Sequence, residues 1–132
     1  MNITIDTNVL LRVVLRDDLA QADAAERVLS SATLVAFPMP CLCELVWVLD
    51  RSYGFGRAEI ARVVETLCAA ANVAVNRGAV DAGLEILKAG GDFADGVIAY
   101  EGRWLGGDTF VSFDKKAVAA LAKQGQRAEL LS

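Results

Sequence analysis

The chain has 132 residues, 55% hydrophobic and 7% aromatic, and carries a net charge of −4 from 17 acidic and 13 basic side chains. That composition fits one globular domain over residues 1–132 with a sizeable core, and it excludes a disordered chain. The absence of histidine excludes Ser-His-Asp and Cys-His triads and histidine activation of an RNA 2′-hydroxyl, so any hydrolase here works with carboxylates, hydroxyls, Lys/Arg or a metal. From the N-terminus, residues 2–5 alternate and are β-branched, which predicts a short strand, with Asp6 directly after it. Val9, Leu10, Val13 and Val14 then recur at helical spacing, so a helix starts near Thr7 or Asn8. A helix is predicted over 20–31, a buried strand over 34–37 ended by Pro38 and Pro40, and a helix over 41–53. Gly54 and Gly56 make a turn before a helix over 57–71; a third strand follows at 73–75 and a helix at 80–89. After Gly90-Gly91, Asp92 opens a helix running to Trp104, and Gly106-Gly107 ends it. A fourth strand is predicted at 109–113, followed at once by Asp114 and a helix to Lys123, with a last short edge strand at 128–131.

Strands alternating with helices predict an α/β fold, a short and mostly parallel sheet between helical layers. Crossover connections gather the strand C-terminal ends at one edge, the edge where α/β proteins bind ligands. No basic n-region or long apolar segment precedes the first strand, and the charge-free run 30–43 is too short and proline-broken to span a bilayer. The expectation is therefore a cytoplasmic protein with no membrane association. Cys41, Cys43 and Cys68 are too few and too odd in number for a disulfide framework, and without histidine they do not build the usual zinc site. They read as small buried hydrophobes.

Four carboxylates fall at comparable points of this scheme: Asp6 at the end of strand one, Glu44 in the first turn of the helix after Pro40, Asp95 in the first turn of the helix after Gly91, and Asp114 at the end of the fourth strand. Asp92 is a fifth, ranked below them. Singly, each also reads as a helix cap or a favourable charge at a helix N-terminus. Together, at one sheet edge, they repel one another unless protonated or bridged by cations, and Mg²⁺ or Mn²⁺ is the bridge that oxygen donors suit. One or two such ions support phosphodiester hydrolysis without a protein nucleophile. Thr7, Asn8 and Ser112 stand close enough in sequence to orient the carboxylates, although Asn8 reads equally as a helix-start residue and Ser112 as a partner of backbone.

These stretches resemble a family. Asp6-Thr7-Asn8-Val9-Leu10-Leu11, Cys43-Glu44-Leu45-Val46-Trp47, Asp92-Phe93-Ala94-Asp95-Gly96-Val97 and Thr109-Phe110-Val111-Ser112-Phe113-Asp114 are similar, in order, to the motifs of PIN-domain nucleases, in particular the VapC toxins of prokaryotic toxin–antitoxin pairs. The resemblance covers essentially the whole chain. It implies a three-layer α/β/α fold, Mg²⁺- or Mn²⁺-dependent endoribonuclease activity, a homodimer, and a cognate antitoxin protein. It also implies that Asp6, Glu44, Asp95 and Asp114 are the catalytic metal ligands, with Ser112 where the family often has a threonine or serine and Asp92 as an accessory. Gly96 stands where alanine is common. A haloacid-dehalogenase-type phosphatase is disfavoured, because Asn8 occupies the place of the second Asp that chemistry wants. A non-catalytic binding module is disfavoured by the complete acidic set.

The low overall charge is unusual for a nucleic-acid binder, but carboxylates neutralised by metal ions would leave the rest of the surface balanced. Arg12, Lys115 and Lys116 lie nearest the acidic positions as candidate RNA-phosphate contacts; Arg16, Arg51, Arg57 and Arg103 are further cations that read as solvated surface. Trp47 and Trp104 lie on apolar helical stripes and read as core or dimer packing.

Overall fold

The computed structural model describes residues 1–132 and divides into two compact units, 1–75 and 76–132. None of its helices is long and apolar enough to cross a membrane.

The first unit contains β1 (Asn2–Thr4), α1 (Thr7–Leu15), α2 (Leu19–Ser31), β2 (Leu34–Ala36), α3 (Met39–Arg51), α4 (Arg57–Cys68) and β3 (Val73–Ala74). The strands form a parallel sheet in the order β1-β2-β3, with Ile3 opposite Val35 and Val35 opposite Val73. Val35, Leu10, Leu42, Leu45, Leu49, Ile60 and Val64 are fully or almost fully buried, the apolar faces that the helical spacing marks. Asp6 and Asp18 start α1 and α2 by accepting the Val9 and Gln21 N–H groups at 3.2 and 3.1 Å. Arg16 ends α1 in the left-handed region, φ 51°, a conformation costly for a side chain with a Cβ. Its guanidinium is tied to Asp23 at 2.8 Å and to Glu26 of α2.

In this unit α3 and α4 are bounded differently from the sequence expectation. α3 begins at Met39, not 41, because Pro40 occupies its first turn, where a missing N–H leaves no helical hydrogen bond unmade. α4 stops at Cys68, and the chain turns through Asn72, whose side-chain amide donates to the Leu29 and Ala32 carbonyls at 2.8 and 3.0 Å. Those bonds close the C-terminal end of α2 and set the entry to β3.

The second unit contains α5 (Arg77–Lys88), α6 (Phe93–Trp104), β4 (Phe110–Ser112), α7 (Lys115–Lys123) and β5 (Ala128–Leu130). α5 starts three residues before the expected point because the Asn76 side chain accepts the Ala79 N–H at 3.1 Å. α5 and α6 approach at backbone distance: a Cβ on Gly96 would lie 2.4 Å from the Ala82 carbonyl oxygen. β4 and β5 pair in parallel, Val111 opposite Glu129, joined through α7. Ile86, Ala99, Ala120 and Leu121 form a buried cluster in this unit, with Phe110 and Ala128 packed on it. The strands thus form two parallel ladders, β1-β2-β3 and β4-β5, where the alternation predicted a single one.

Candidate metal centre

The second unit brings three carboxylates together. Asp95 lies in the first turn of α6, Asp92 at the residue preceding that helix, and Asp114 at the residue preceding α7. One oxygen from each lies within 4.8 Å of the others. Two helix N-termini, with their partial positive charge, begin at this cluster.

The three side chains are held differently. Asp114 caps α7 through one oxygen, Oδ1, which accepts the Lys116 and Ala117 N–H groups at 2.9 and 3.3 Å. The other oxygen takes no part in the cap. Ser112 Oγ accepts the Asp114 N–H at 2.9 Å and so fixes the backbone that carries this carboxylate. Asp92 sits at the capping position of α6 yet its carboxylate makes no cap hydrogen bond; only its carbonyl accepts, from Asp95 N–H at 3.1 Å. Helix capping therefore does not explain why a carboxylate stands at 92. Asp95 is half-buried, and its carboxyl is pushed above the ordinary aspartate value by that burial first, then by the charges of Asp92 and Asp114.

The donors are all carboxylate oxygens, which suits a hard divalent cation. Oxygens on one Mg²⁺ ion stand no more than about 4.2 Å apart, at ligand distances of about 2.0–2.1 Å, so three oxygens within 4.8 Å of one another need only a small closing of the side chains to share one. A cation would also remove the repulsion that raises the Asp95 carboxyl. Asp92, Asp95 and Asp114 thus fit a Mg²⁺ or Mn²⁺ ion. The sequence alone ranks Asp92 below the other acids; the signal that raises it is its spacing three residues before Asp95 across a helix start.

In the first unit, Asp6 and Glu44 both act on the Cys41 thiol through their charges. Asp6 caps α1 through Oδ1, and Glu44 is exposed in the second turn of α3, not the first, because the helix starts earlier. Burial pushes the Cys41 thiol up, a hydrogen bond with the Thr7 hydroxyl pulls it down, and the charges of Asp6 and then Glu44 push it up again. Thr7 is buried and engaged with that thiol. Asn8 is exposed and borders a groove with Arg12, Gln21 and Val28. None of the three cysteines is in a disulfide.

Of the candidate RNA contacts, Arg12 is ion-paired with Asp17 at 3.0 Å. Arg103 bonds to Gln126 and lies over the Tyr100 ring, 5.8 Å from its centroid. Lys115 and Lys116 are exposed beside Asp114 with no acidic partner. Trp47 and Trp104 are 58% and 77% exposed, so core packing is not their role.

Compared with known families, residues 3–124 match the model of the PIN domain. Compared with curated proteins, the chain has no match.

Proposed function

The chain belongs to the PIN domain family, with that family's α/β/α fold class and nuclease-type module, and from this premise we propose that it is a metal-dependent endoribonuclease, the toxin of a VapBC-like toxin–antitoxin pair. The observation that carries the proposal is the convergence of Asp92, Asp95 and Asp114, with Asp92 released from helix capping. The family match runs through both compact units, which supports reading 1–132 as one nuclease domain.

In this reading Asp95 and Asp114 hold the Mg²⁺ or Mn²⁺ ion together with Asp92. Asp6 and Glu44 are assigned as acidic ligands by their motif positions. Bound there, the ion supplies an activated water and neutralises developing charge for cleavage to 5′-phosphate and 3′-hydroxyl ends. The chain's own residues do the positioning. Ser112 holds the Asp114 backbone, the α7 N-terminus fixes one Asp114 oxygen and leaves the other for the ion, and half-burial in the first turn of α6 restricts Asp95. Lys115 and Lys116 present cations for substrate phosphates next to these ligands. The toxin role, the cognate antitoxin and the homodimer follow from the motif resemblance and belong to the same proposal, as does the cytoplasmic location.

The test is cleavage of labelled RNA by purified protein with Mn²⁺, Mg²⁺ or EDTA, beside Asp114→Asn and Asp6→Asn. Asparagine keeps a capping oxygen, so both variants are expected to fold. Discrete cuts that need the metal and vanish in the variants support the reading. Cuts that persist in EDTA, or undiminished in Asp114→Asn, overturn it.

A further inference from the structure

Phe113 stands between Ser112, which holds the Asp114 backbone, and Asp114 itself, and it is 72% exposed. Two residues before it, in β4, Val111 is 50% exposed. An isolated surface apolar residue needs no explanation, but these two are exposed within three residues of chain that lead directly into Asp114 of the acidic triad. At one end Lys115 and Lys116 follow it, exposed and without acidic partners. At the other, Val111 borders a groove lined also by Arg103, Arg127, Gln126 and Thr109. Arg127 is paired there only with exposed Asp108, at 3.3 Å, a contact that a phosphate readily replaces.

An exposed aromatic ring flanked by cations is what single-stranded nucleic acid uses: bases stack on the ring, and the backbone follows the charge. The backbone that carries the ring is held on both sides, by the Leu131 N–H donating to the Ser112 carbonyl at 2.8 Å and by the Asp114 cap of α7. Resting on the nuclease reading above, we propose that Phe113 is the platform on which a base of single-stranded RNA stacks next to the cleaved phosphate, with the strand continuing past Val111 into the groove of Arg103 and Arg127. Phe113 is then a substrate-positioning residue and binds ground state and transition state alike.

The test compares wild type, Phe113→Ala, Phe113→Trp and Trp104→Ala, the last removing an equally exposed aromatic away from the triad. Binding of a fluorescent single-stranded oligoribonucleotide is measured by anisotropy in EDTA, and cleavage of the same strand in Mn²⁺. Loss of one stacked base is expected to weaken binding by about 5- to 150-fold in Phe113→Ala, with KM raised and kcat kept. Phe113→Trp retains binding and Trp104→Ala leaves it unchanged; melting curves of all four coincide. Wild-type affinity in Phe113→Ala, with metal-dependent cleavage intact, overturns this inference and leaves the nuclease reading standing. A wild-type protein that neither binds nor cuts the strand overturns both.

Discussion

Ser112 and Asp114 are joined by a hydrogen bond from the Asp114 N–H to Ser112 Oγ, 2.9 Å long, across the end of β4. It locks the residue that both caps α7 and faces Asp92 and Asp95. Ser112→Ala removes the acceptor but not the carboxylate. Groups that orient metal ligands are worth roughly 10- to 100-fold in affinity or activity. Ser112→Ala is therefore expected to lose about tenfold in Mn²⁺-dependent cleavage and to need more Mn²⁺ for half-maximal rate, while Ser112→Thr keeps both. A metal titration of cleavage rate for the three proteins checks this; an unchanged midpoint in Ser112→Ala removes Ser112 from the site.

Asp95 gives a pH dependence whose sign is fixed by its environment. Its carboxyl is raised in the folded protein by burial, then by Asp92, then by Asp114. The folded state therefore holds the proton more tightly than the unfolded state. Stability from this group is complete below the ordinary aspartate range and is lost as pH rises through the folded value. Asp95→Asn, neutral throughout, is expected to melt higher than wild type at neutral pH without metal and to show a flatter Tm against pH across that window.

Metal reverses the comparison. A divalent ion that binds only the folded state stabilises it by mass action, about 2.7 kcal/mol at a hundred times Kd. Mn²⁺ is expected to raise the wild-type Tm and to leave Asp95→Asn and Asp92→Asn with most of that rise missing. Equal Mn²⁺ shifts in Asp92→Asn and wild type would return Asp92 to a surface role.

The sequence was most legible where local physics decides. Asp6 and Asp114 each follow a strand and precede a periodic helix, and the structure places both as caps, as hydrogen bonding at helix starts requires. Capping and metal binding do not compete at these residues, since in each the cap uses one oxygen. The pattern was less legible where packing decides. The spacing of Asp92 sets it three residues before Asp95, but whether its carboxylate caps the helix or turns to Asp95 and Asp114 is decided by packing. Pro40 reads as a break, and only the tolerance of a first helical turn for proline lets α3 begin before it. The division of the strands into two ladders depends on contacts far apart in sequence, which periodicity does not encode.

Cys41 reports on the acids of the first unit. Its thiol is raised by burial and by Asp6 and Glu44, against the Thr7 hydrogen bond. Neutralising either acid lowers the thiol towards its ordinary value, and because the thiolate is the nucleophile, alkylation at a fixed mildly alkaline pH speeds up. Asp6→Asn is expected to accelerate Cys41 modification by iodoacetamide, read by peptide mass spectrometry, with Glu44→Gln doing so less. Thr7→Val slows it. If neither acidic variant shifts the pH profile of Cys41 alkylation, the two carboxylates do not share this thiol.

Glycines at the α5–α6 contact set the last expectation, because they separate close approach from helix propensity. Alanine favours a helix interior over glycine by roughly 0.5–1 kcal/mol. At Gly102 of α6 an added Cβ meets nothing within 4 Å, so Gly102→Ala is expected to stabilise by about that amount. At Gly96 of the same helix the Cβ would fall 2.4 Å from the Ala82 carbonyl oxygen and 2.8 Å from the Gly83 Cα. Those are backbone atoms of α5, and no rotamer change removes them. Overpacking of this kind costs about 1–3 kcal/mol, more than the propensity gain. Gly96→Ala is thus expected to lower the urea midpoint with an unchanged slope. Because Asp95 is the preceding residue, moving α6 away from α5 also carries its carboxylate off the triad, so the Mn²⁺-induced rise in Tm shrinks with it. A Gly96→Ala protein as stable as Gly102→Ala would mean that α5 and α6 do not pack at backbone distance.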